Sequence, residues 1–542
     1  MKIRRITGLT AMVTAGVLAL AACGSGGSGT NNGSPAASGP STGIVTANGS
    51  EPQNPLIPTN TNETGGGKIV DLLFAGLVYY DAKGAPHNDV ADSITSSDNT
   101  TWTIKIKSGQ VFSDGSPVKA ENFVKAWNFG AKLSNKQLNS YFFENIKGFS
   151  YDKDTDLTQT GGLTVVDDTT FKVVLNGPES DFPLRMGYTA YYPLPDSAFT
   201  DMTAFGKAPI GNGPYVLNTW THNVEAKLTP NPKYDGPRKA QNGGVDLKFY
   251  TDLGAAYSDL QADNLDVLDA IPDSAYGTFK SDLGDRAVNQ PAAIFQSFTI
   301  PVAAPHFGMN EEGRLRRQAL SMAIDRAQIT KVIFQGTRTP ATDFTSPVIA
   351  GWSDSVPGNE VLKFDAAKAK ELWAQANAIS PWSGKFTIAY NADGGHQGWV
   401  EATTNSIKNV LGIDAEGLSY PDFASFRTDI TGGKMKSGFR TGWQADYPSL
   451  YNFLGPLYGT GAGSNDGKYS SPQVDQLLQA GLAAKSVADA NVQFQKVQEQ
   501  LFKDLPAIPL WYSNVTGGFS TLVQHVQFGW NSVPLYYEIT KS

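Results

Sequence analysis

One cysteine stands in 542 residues, and it is Cys23. No disulfide within the chain can brace the fold, so stability has to come from buried apolar cores. The place of the thiol matters as much as its isolation. Lys2, Arg4 and Arg5 form a positive head, Ile6 to Leu20 an apolar stretch too short to span a bilayer comfortably, and Leu20–Ala21–Ala22–Cys23 closes it. That pattern is an export signal, residues 1–22, and it is set aside before the fold is considered. Nothing after Cys23 reads as a transmembrane helix.

Removing residues 1–22 takes away those three bases and no acid, so the formal net charge moves from −8 to −11. An acidic exported chain is poorly suited to nucleic acid or to a polybasic membrane contact. From Gly24 to about Gly43 the chain is rich in Gly, Ser, Asn and Pro and reads as a tether. About twenty such residues span roughly 25 Å as a flexible coil. The remainder is long enough for two to four domains.

Residues 68–80 predict a helix followed by a short strand. At 101–107, Trp102, Ile104 and Ile106 alternate with Thr and Lys, as in a half-buried strand. Asp114–Gly115 marks a turn, and Phe123, Val124 and Trp127 then fall at helical spacing. Residues 165–175 read as a turn with an alternating strand. The segment 313–336 predicts one long amphipathic helix carrying Leu315, Ala319, Met322 and Ala323. Another helix is expected over 364–378 with Asp365 as its N-cap. Two more follow, on Val474, Leu477, Leu478 and Leu482, then on Phe494, Val497 and Leu501. Helices alternating with short strands suit an α/β fold.

The strand at 101–107, the turn and helix in FSDGSPVKAENFV, and VVDDTTFKVVL at 165–175 resemble the bacterial extracellular solute-binding proteins of family 5. So do APIGNGPYVLNTW at 208–220, NPKYDG at 231–236, and the helices at 313–336 and 364–378, as well as the pair before LPAIPLWYSN. These are the oligopeptide-, dipeptide- and nickel-binding receptor subunits of ABC importers, and the likeness is closest to the oligopeptide-binding members. It runs in order from about Gly49 to the end. Lys119 departs from it, standing where the family usually carries a helix-capping Thr.

The resemblance implies an α/β, periplasmic-binding-protein-like type II fold, two lobes with a hinge plus an inserted third domain. Lobe 1 would comprise 44–86, 207–300 and 513–542, the inserted domain 87–206, and lobe 2 301–512. Leu20–Cys23 is similar to a bacterial lipobox, implying lipidation of Cys23 and a lipid-anchored linker over 23–43. The expected product is a monomeric receptor on the outer face of the cell membrane, anchored by lipid only. It would deliver short peptides to the membrane subunits of an ABC permease, with no cofactor, no metal and no nucleic-acid partner.

The one Gly-x-Ser-x-Gly, Gly39 to Gly43, falls in the tether and not at a strand-to-helix turn; there is no His-Glu-x-x-His and no Cys/His metal spacing, and His87, His222, His306, His396 and His525 are scattered. Ser116–Lys119 and Ser97–Asp98–Asn99 fit two motifs of penicillin-binding proteins and Lys107–Ser108–Gly109 resembles their Lys-Thr-Gly, the basis for an alternative reading as a cell-envelope serine hydrolase. In those enzymes the motifs come in the opposite order and far apart, and Ser116 here follows a turn. Within the binding class, an oligosaccharide, an opine or a metal chelate is the alternative ligand.

The candidate site is FRTGWQADYPSLYNFLGPLY, 439–458, a strand running into a turn at Tyr447–Pro448–Ser449. It sets Asp446 among aromatics, where a charge is costly unless something pairs it. By residue type, Asp446 either caps a turn or pairs with Arg440, or it meets a ligand. The resemblance implies the last, with Asp446 on a peptide's α-ammonium, Trp443 as an aromatic wall, and the main chain of Gly442 and Gln444 pairing with extended ligand backbone. Arg440 is a candidate for a ligand carboxylate, or for pairing with Asp446 or Asp429. Tyr447 belongs to the same segment, and Pro448–Ser449 stands where many members carry a second acid and a Pro. Glu63, in a Gly-rich loop, and Trp511 and Tyr512, at the return crossover, complete the candidates as further walls. Their bland readings are loop surface and core aromatics.

Overall fold

The long sheet is built from strands that are far apart in sequence. The computed structural model describes residues 41–421 and 423–541. The expected export signal, Cys23 and most of the expected tether lie outside them. Eleven strands form the sheet: β1 (Ile44–Gly49), β2 (Tyr215–Thr221), β3 (Glu225–Pro230), β4 (Gly244–Phe249), β5 (Val267–Leu268) and β6 (Ala287–Thr299), then β7 (Arg338–Pro340), β8 (Lys385–Asn391), β9 (Asp414–Tyr420), β10 (Gly438–Gln444) and β11 (Ala507–Phe519). Their order is β9-β8-β10-β6-β11-β5-β1-β4-β3-β2, with β7 on β11. β1 pairs parallel with β4, and β8 parallel with β9 and β10. The ladders of β6 with β10 and β11 are antiparallel.

β6 and β11, 13 residues each, join the two halves of this sheet. At one end β11 meets β5 through Gly518 and Phe519, and at the other β6 meets β10 through Ile294 to Thr299. Between these ends the ladder slips at Pro291–Ile294. Proline has no N–H to give a ladder, so the slip falls where the pairing is chemically weakest.

A separate four-stranded sheet is made by Ala91–Thr95, Thr101–Ile106, Leu163–Asp167 and Thr170–Val174. Trp102, Ile104 and Ile106 are buried and their neighbours are not, as the alternation predicts. Behind this sheet lies the helix Ala120–Ala131, which buries Phe123, Val124 and Trp127. It starts at Lys119 without a capping Thr because the Asn122 side chain accepts from the Lys119 N–H at 2.7 Å.

Asp365 caps the helix Ala366–Ile379 by accepting from the Lys368 N–H. The two late helices are Pro472–Leu482 and Val487–Asp504. The single long helix expected over 313–336 is two, Glu311–Met322 and Arg326–Val332. Asp325 caps the second through the Gln328 N–H. The buried Arg326 guanidinium also donates to the carbonyls of Ser321, Leu362 and Pro509, consuming the carbonyl a continuous helix would use.

Two large apolar cores flank β10. One gathers Phe295, Phe344, Leu450, Phe453, Leu454, Phe494 and Tyr512. The other gathers Phe298, Ile324, Phe386, Ile388, Trp399 and Trp511.

Candidate ligand-binding site

β10 has one closed edge and one open edge. Along β6 it pairs from Phe439 to Gln444, and along β8 only at Gly438 and Phe439. Among the described residues no strand covers the second edge from Arg440 onward. The Ala445 N–H donates to the Ala293 carbonyl at 2.9 Å, which sets the alternation of the antiparallel ladder. Ala445, Trp443 and Thr441 therefore turn their main-chain groups to β6, and Gln444, Gly442 and Arg440 turn theirs away. The backbones of Gly442 and Gln444 line an open edge, and both residues are exposed.

β10 ends at a cleft of about 290 Å3, at the lower end of the range for small-ligand sites. Asp446 lines it with Gln444, Glu63, Tyr80, Tyr188 and Trp530. Asp446 is half-buried, and burial pushes its carboxyl up from 3.8 to about 6, with a hydrogen bond from Asn452 opposing. Among the described residues no cation offsets that burial. Its charge is felt instead by three phenols, Tyr80, Tyr141 and Tyr188, whose ionisation it makes harder. The two cations on the cleft wall are bound elsewhere. Lys68 pairs with Asp269, and Arg238 with Asp89 at 3.1 Å and Asp71 at 3.3 Å.

Local sequence explains how the acid is held. Ser449 caps the helix Leu450–Tyr458 by accepting from the Tyr451 N–H, so the chain leaves β10, turns at Pro448 and enters a helix at once. The first helical turn carries Asn452 back beneath Asp446. Asn452 Nδ2 donates to Asp446 Oδ2 at 3.1 Å, and its Oδ1 accepts from the Asp446 N–H at 2.9 Å and from Trp443 Nε1 at 3.0 Å.

The other candidates fall into three groups. Glu63 sits on the cleft wall, but as the N-cap of the helix Thr64–Leu73, accepting from the Gly66 N–H at 2.9 Å. The expected Gly-rich loop is the first turn of that helix. Its glycines admit the cap, since a Cβ on Gly66 would lie 2.5 Å from Glu63 Oε1.

Arg440, Gly442 and Trp443 line a second cavity of about 220 Å3. Arg440 pairs with neither Asp446 nor Asp429: its Nε and Nη2 donate to Asn391 Oδ1 and it lies over Phe423 and Phe426. Asp429 takes Lys434 at 2.8 Å.

Three aromatics are not on the cleft. Tyr447 is buried with Arg185 over its ring. Trp511 and Tyr512, expected as walls, are core residues, 1% exposed each. β11 is central and covered on both faces, so its side chains pack inward whichever way they point. Trp511 meets Phe334 and Trp399 edge-to-face, and the Tyr512 hydroxyl donates to Asp343 at 2.7 Å.

Sequence reasoning missed Asn452 and the tyrosines around the acid. Asn452 carried a usable signal, a buried-helix Asn placed after a cap residue. Tyr80, Tyr141 and Tyr188 are distant in sequence from Asp446 and carried none.

A family model described as "Bacterial extracellular solute-binding proteins, family 5 Middle" matches residues 85–465. The oligopeptide-binding protein OppA of Bacillus subtilis is 26% identical over 515 residues, 91% of this chain and 92% of that protein. The periplasmic murein peptide-binding protein MppA of Escherichia coli is 26% identical over 464 residues, 82% of this chain and 83% of that protein. In structure, Haemophilus influenzae OppA in complex with RPPGFSPFR superposes with a TM-score of 0.75 at 20% identity, covering 92% of this chain and 99% of that one.

Proposed function

The chain belongs to the bacterial extracellular solute-binding proteins of family 5, and on that premise we propose that it is the receptor of an ABC importer that captures short peptides. The fold is α/β of the type II periplasmic-binding kind, two lobes with an additional domain. One observation carries the reading. Asp446 is a desolvated carboxylate with no cation beside it among the described residues, set at the end of an open strand edge. An α-ammonium offers three donors to that acid, and the peptide that follows it can pair with the main chain of Gly442 and Gln444. Recognition through backbone groups leaves affinity largely independent of side-chain identity. Trp443 walls the strand, and Arg440, in the neighbouring cavity, is the proposed contact for a carboxylate or acidic side chain.

The same reading divides the chain into lobe 1 at 44–86, 207–300 and 513–542, an inserted domain at 87–206, and lobe 2 at 301–512. The crossing strands β6 and β11 support that division, and the slip at Pro291 supports a hinge between the lobes. Closure around the ligand would present the form that the membrane subunits accept. A lipid on Cys23 would keep a monomeric receptor at the outer face of the membrane. No described helix is long and apolar enough to cross one.

Members of this family are binding proteins, and no catalysis is proposed. Ser116 donates to Asp114 in a turn, and the lysines of the enzyme-like motifs are bound elsewhere, Lys119 to Asp168 and Lys107 to the Asp89 carbonyl.

Calorimetry with a free and an N-acetylated tripeptide tests the assignment. Asp446→Ala should lose about 2–5 kcal/mol of affinity for the free peptide, as loss of one partner from a buried charged pair does. Acetylation should cost wild type a similar amount. Equal binding of the two peptides by the wild-type protein would remove Asp446 from the ammonium.

A further inference from the structure

Asn452 is 2% exposed, and each end of its side chain meets a different part of the site. The amide oxygen receives two obligate donors, the Asp446 backbone N–H and the Trp443 indole N–H, so the nitrogen must be the end that faces Asp446 Oδ2. Backbone and carboxylate of the acid are thus tied to one amide, and the aromatic wall is tied to the same amide.

We infer that Asn452 is the positioning residue of the ammonium site, fixing Asp446 and Trp443 in one frame and holding the carboxylate in its ionised form. This rests on the reading of Asp446 as the ammonium contact. A carboxylate has about four lone-pair positions, and Asn452 occupies one of them on Oδ2. Oδ1 is left to face the cleft. A primary amide accepts twice at its oxygen while donating from a separate nitrogen, which matches the three contacts of Asn452.

The groups facing Asp446 from the other segments are neutral phenols, Tyr80, Tyr141 and Tyr188. Glu63, Asp71 and Asp81 are the other acids on the cleft wall, and its two cations, Lys68 and Arg238, are committed to Asp269 and to Asp89 with Asp71. Burial therefore pushes the acid towards its neutral form, and the Asn452 hydrogen bond opposes it. Without that donor the acid should hold its proton to higher pH, and a protonated acid attracts an ammonium far less.

The test follows Asp446 by carboxyl-carbon NMR in the ligand-free protein. Alongside it, calorimetry measures trialanine and N-acetyl-trialanine from about pH 5 to about 8, the span that brackets the acid and the peptide amine. Wild type, Asn452→Ala and Asn452→Leu are compared. The Leu variant fills much the same volume with no donor and no added charge, and so carries the test if the Ala variant does not fold.

The expected result is a higher Asp446 midpoint in both variants, with trialanine binding near pH 6 weakened roughly 10- to 100-fold, the worth of one hydrogen bond to a charged group. The deficit should shrink as pH rises. An unchanged midpoint with the same loss at every pH would overturn the inference and leave Asn452 a packing residue. If wild type instead binds both peptides equally, or neither, the ammonium reading itself fails, while the NMR midpoint still decides what Asn452 does to the acid.

Discussion

Asp446 costs the empty protein something. Its carboxyl has an ordinary value of 3.8 and is pushed to about 6 in the fold. A group raised on folding stabilises the folded state below its unfolded value, and that contribution is lost as pH rises through the folded one. Above about pH 6 the ionised acid therefore weighs against the ligand-free fold, by up to about 3 kcal/mol. Asp446→Asn should raise the Tm of the empty receptor at pH 7, and raise it little at pH 4, while abolishing the preference for a free peptide amine. Scanning calorimetry at the two pH values checks this, and a variant no more stable at pH 7 would show that the acid is not strained. Binding sites commonly trade stability for function in this way. At this scale the sequence showed the type and place of the acid. It did not show that Tyr447, one residue on, turns away to Arg185.

At the scale of elements, β10 is a strand whose second half has a partner on one side only. That follows from the pairing with β8 stopping at Phe439, and β8 starts about fifty residues upstream. A bound peptide that completes the ladder should depend on its own N–H groups. N-methylation of a central amide in trialanine should cost about 1–3 kcal/mol, the range for leaving a buried main-chain group unmatched. Exchanging a side chain for another of similar size should cost less. Calorimetry with the methylated peptide decides it, and equal affinity would argue against strand addition. Period and capping made β10 and most helices readable in advance. The four apolar positions at helical spacing over 313–336 did not show the break at Asp325, where that side chain caps a second helix and the Arg326 guanidinium takes the Ser321 carbonyl.

Across the whole molecule, segments far apart meet beside the site. Ser449 donates to Asp181 at 2.9 Å, the Ser180 N–H donates to the Leu482 carbonyl, and Asn99 Nδ2 to the Ala484 carbonyl. At the centre Arg185 Nη2 lies 3.1 Å from Glu179 and 3.5 Å from Asp181, under Tyr447 and Tyr451. All three charged groups are buried, and burial pushes Glu179 up to about 7 even with Arg185 opposing. Arg185→Met would leave two carboxylates in the interior without their cation. It should cost about 3–5 kcal/mol in denaturant unfolding, the range for breaking a buried ion pair from one side. A loss below about 1 kcal/mol, typical of exposed pairs, would show the junction to be wet and open in solution.

The sequence by itself determined the absence of an internal disulfide, the α/β class and the stretch on which the site is built, because caps and periodicities are local chemistry. The tertiary structure alone decided which of those residues meet. Whether Asp446 had a partner depended on groups hundreds of residues away, on Lys68 and Arg238 being bound to other acids and on Asn452 reaching back from a helix. Whether Trp511 and Tyr512 could face a ligand depended on β11 lying in the middle of the sheet. A residue's neighbours across a fold are set by strand order and burial, and neither is encoded within any one stretch of chain.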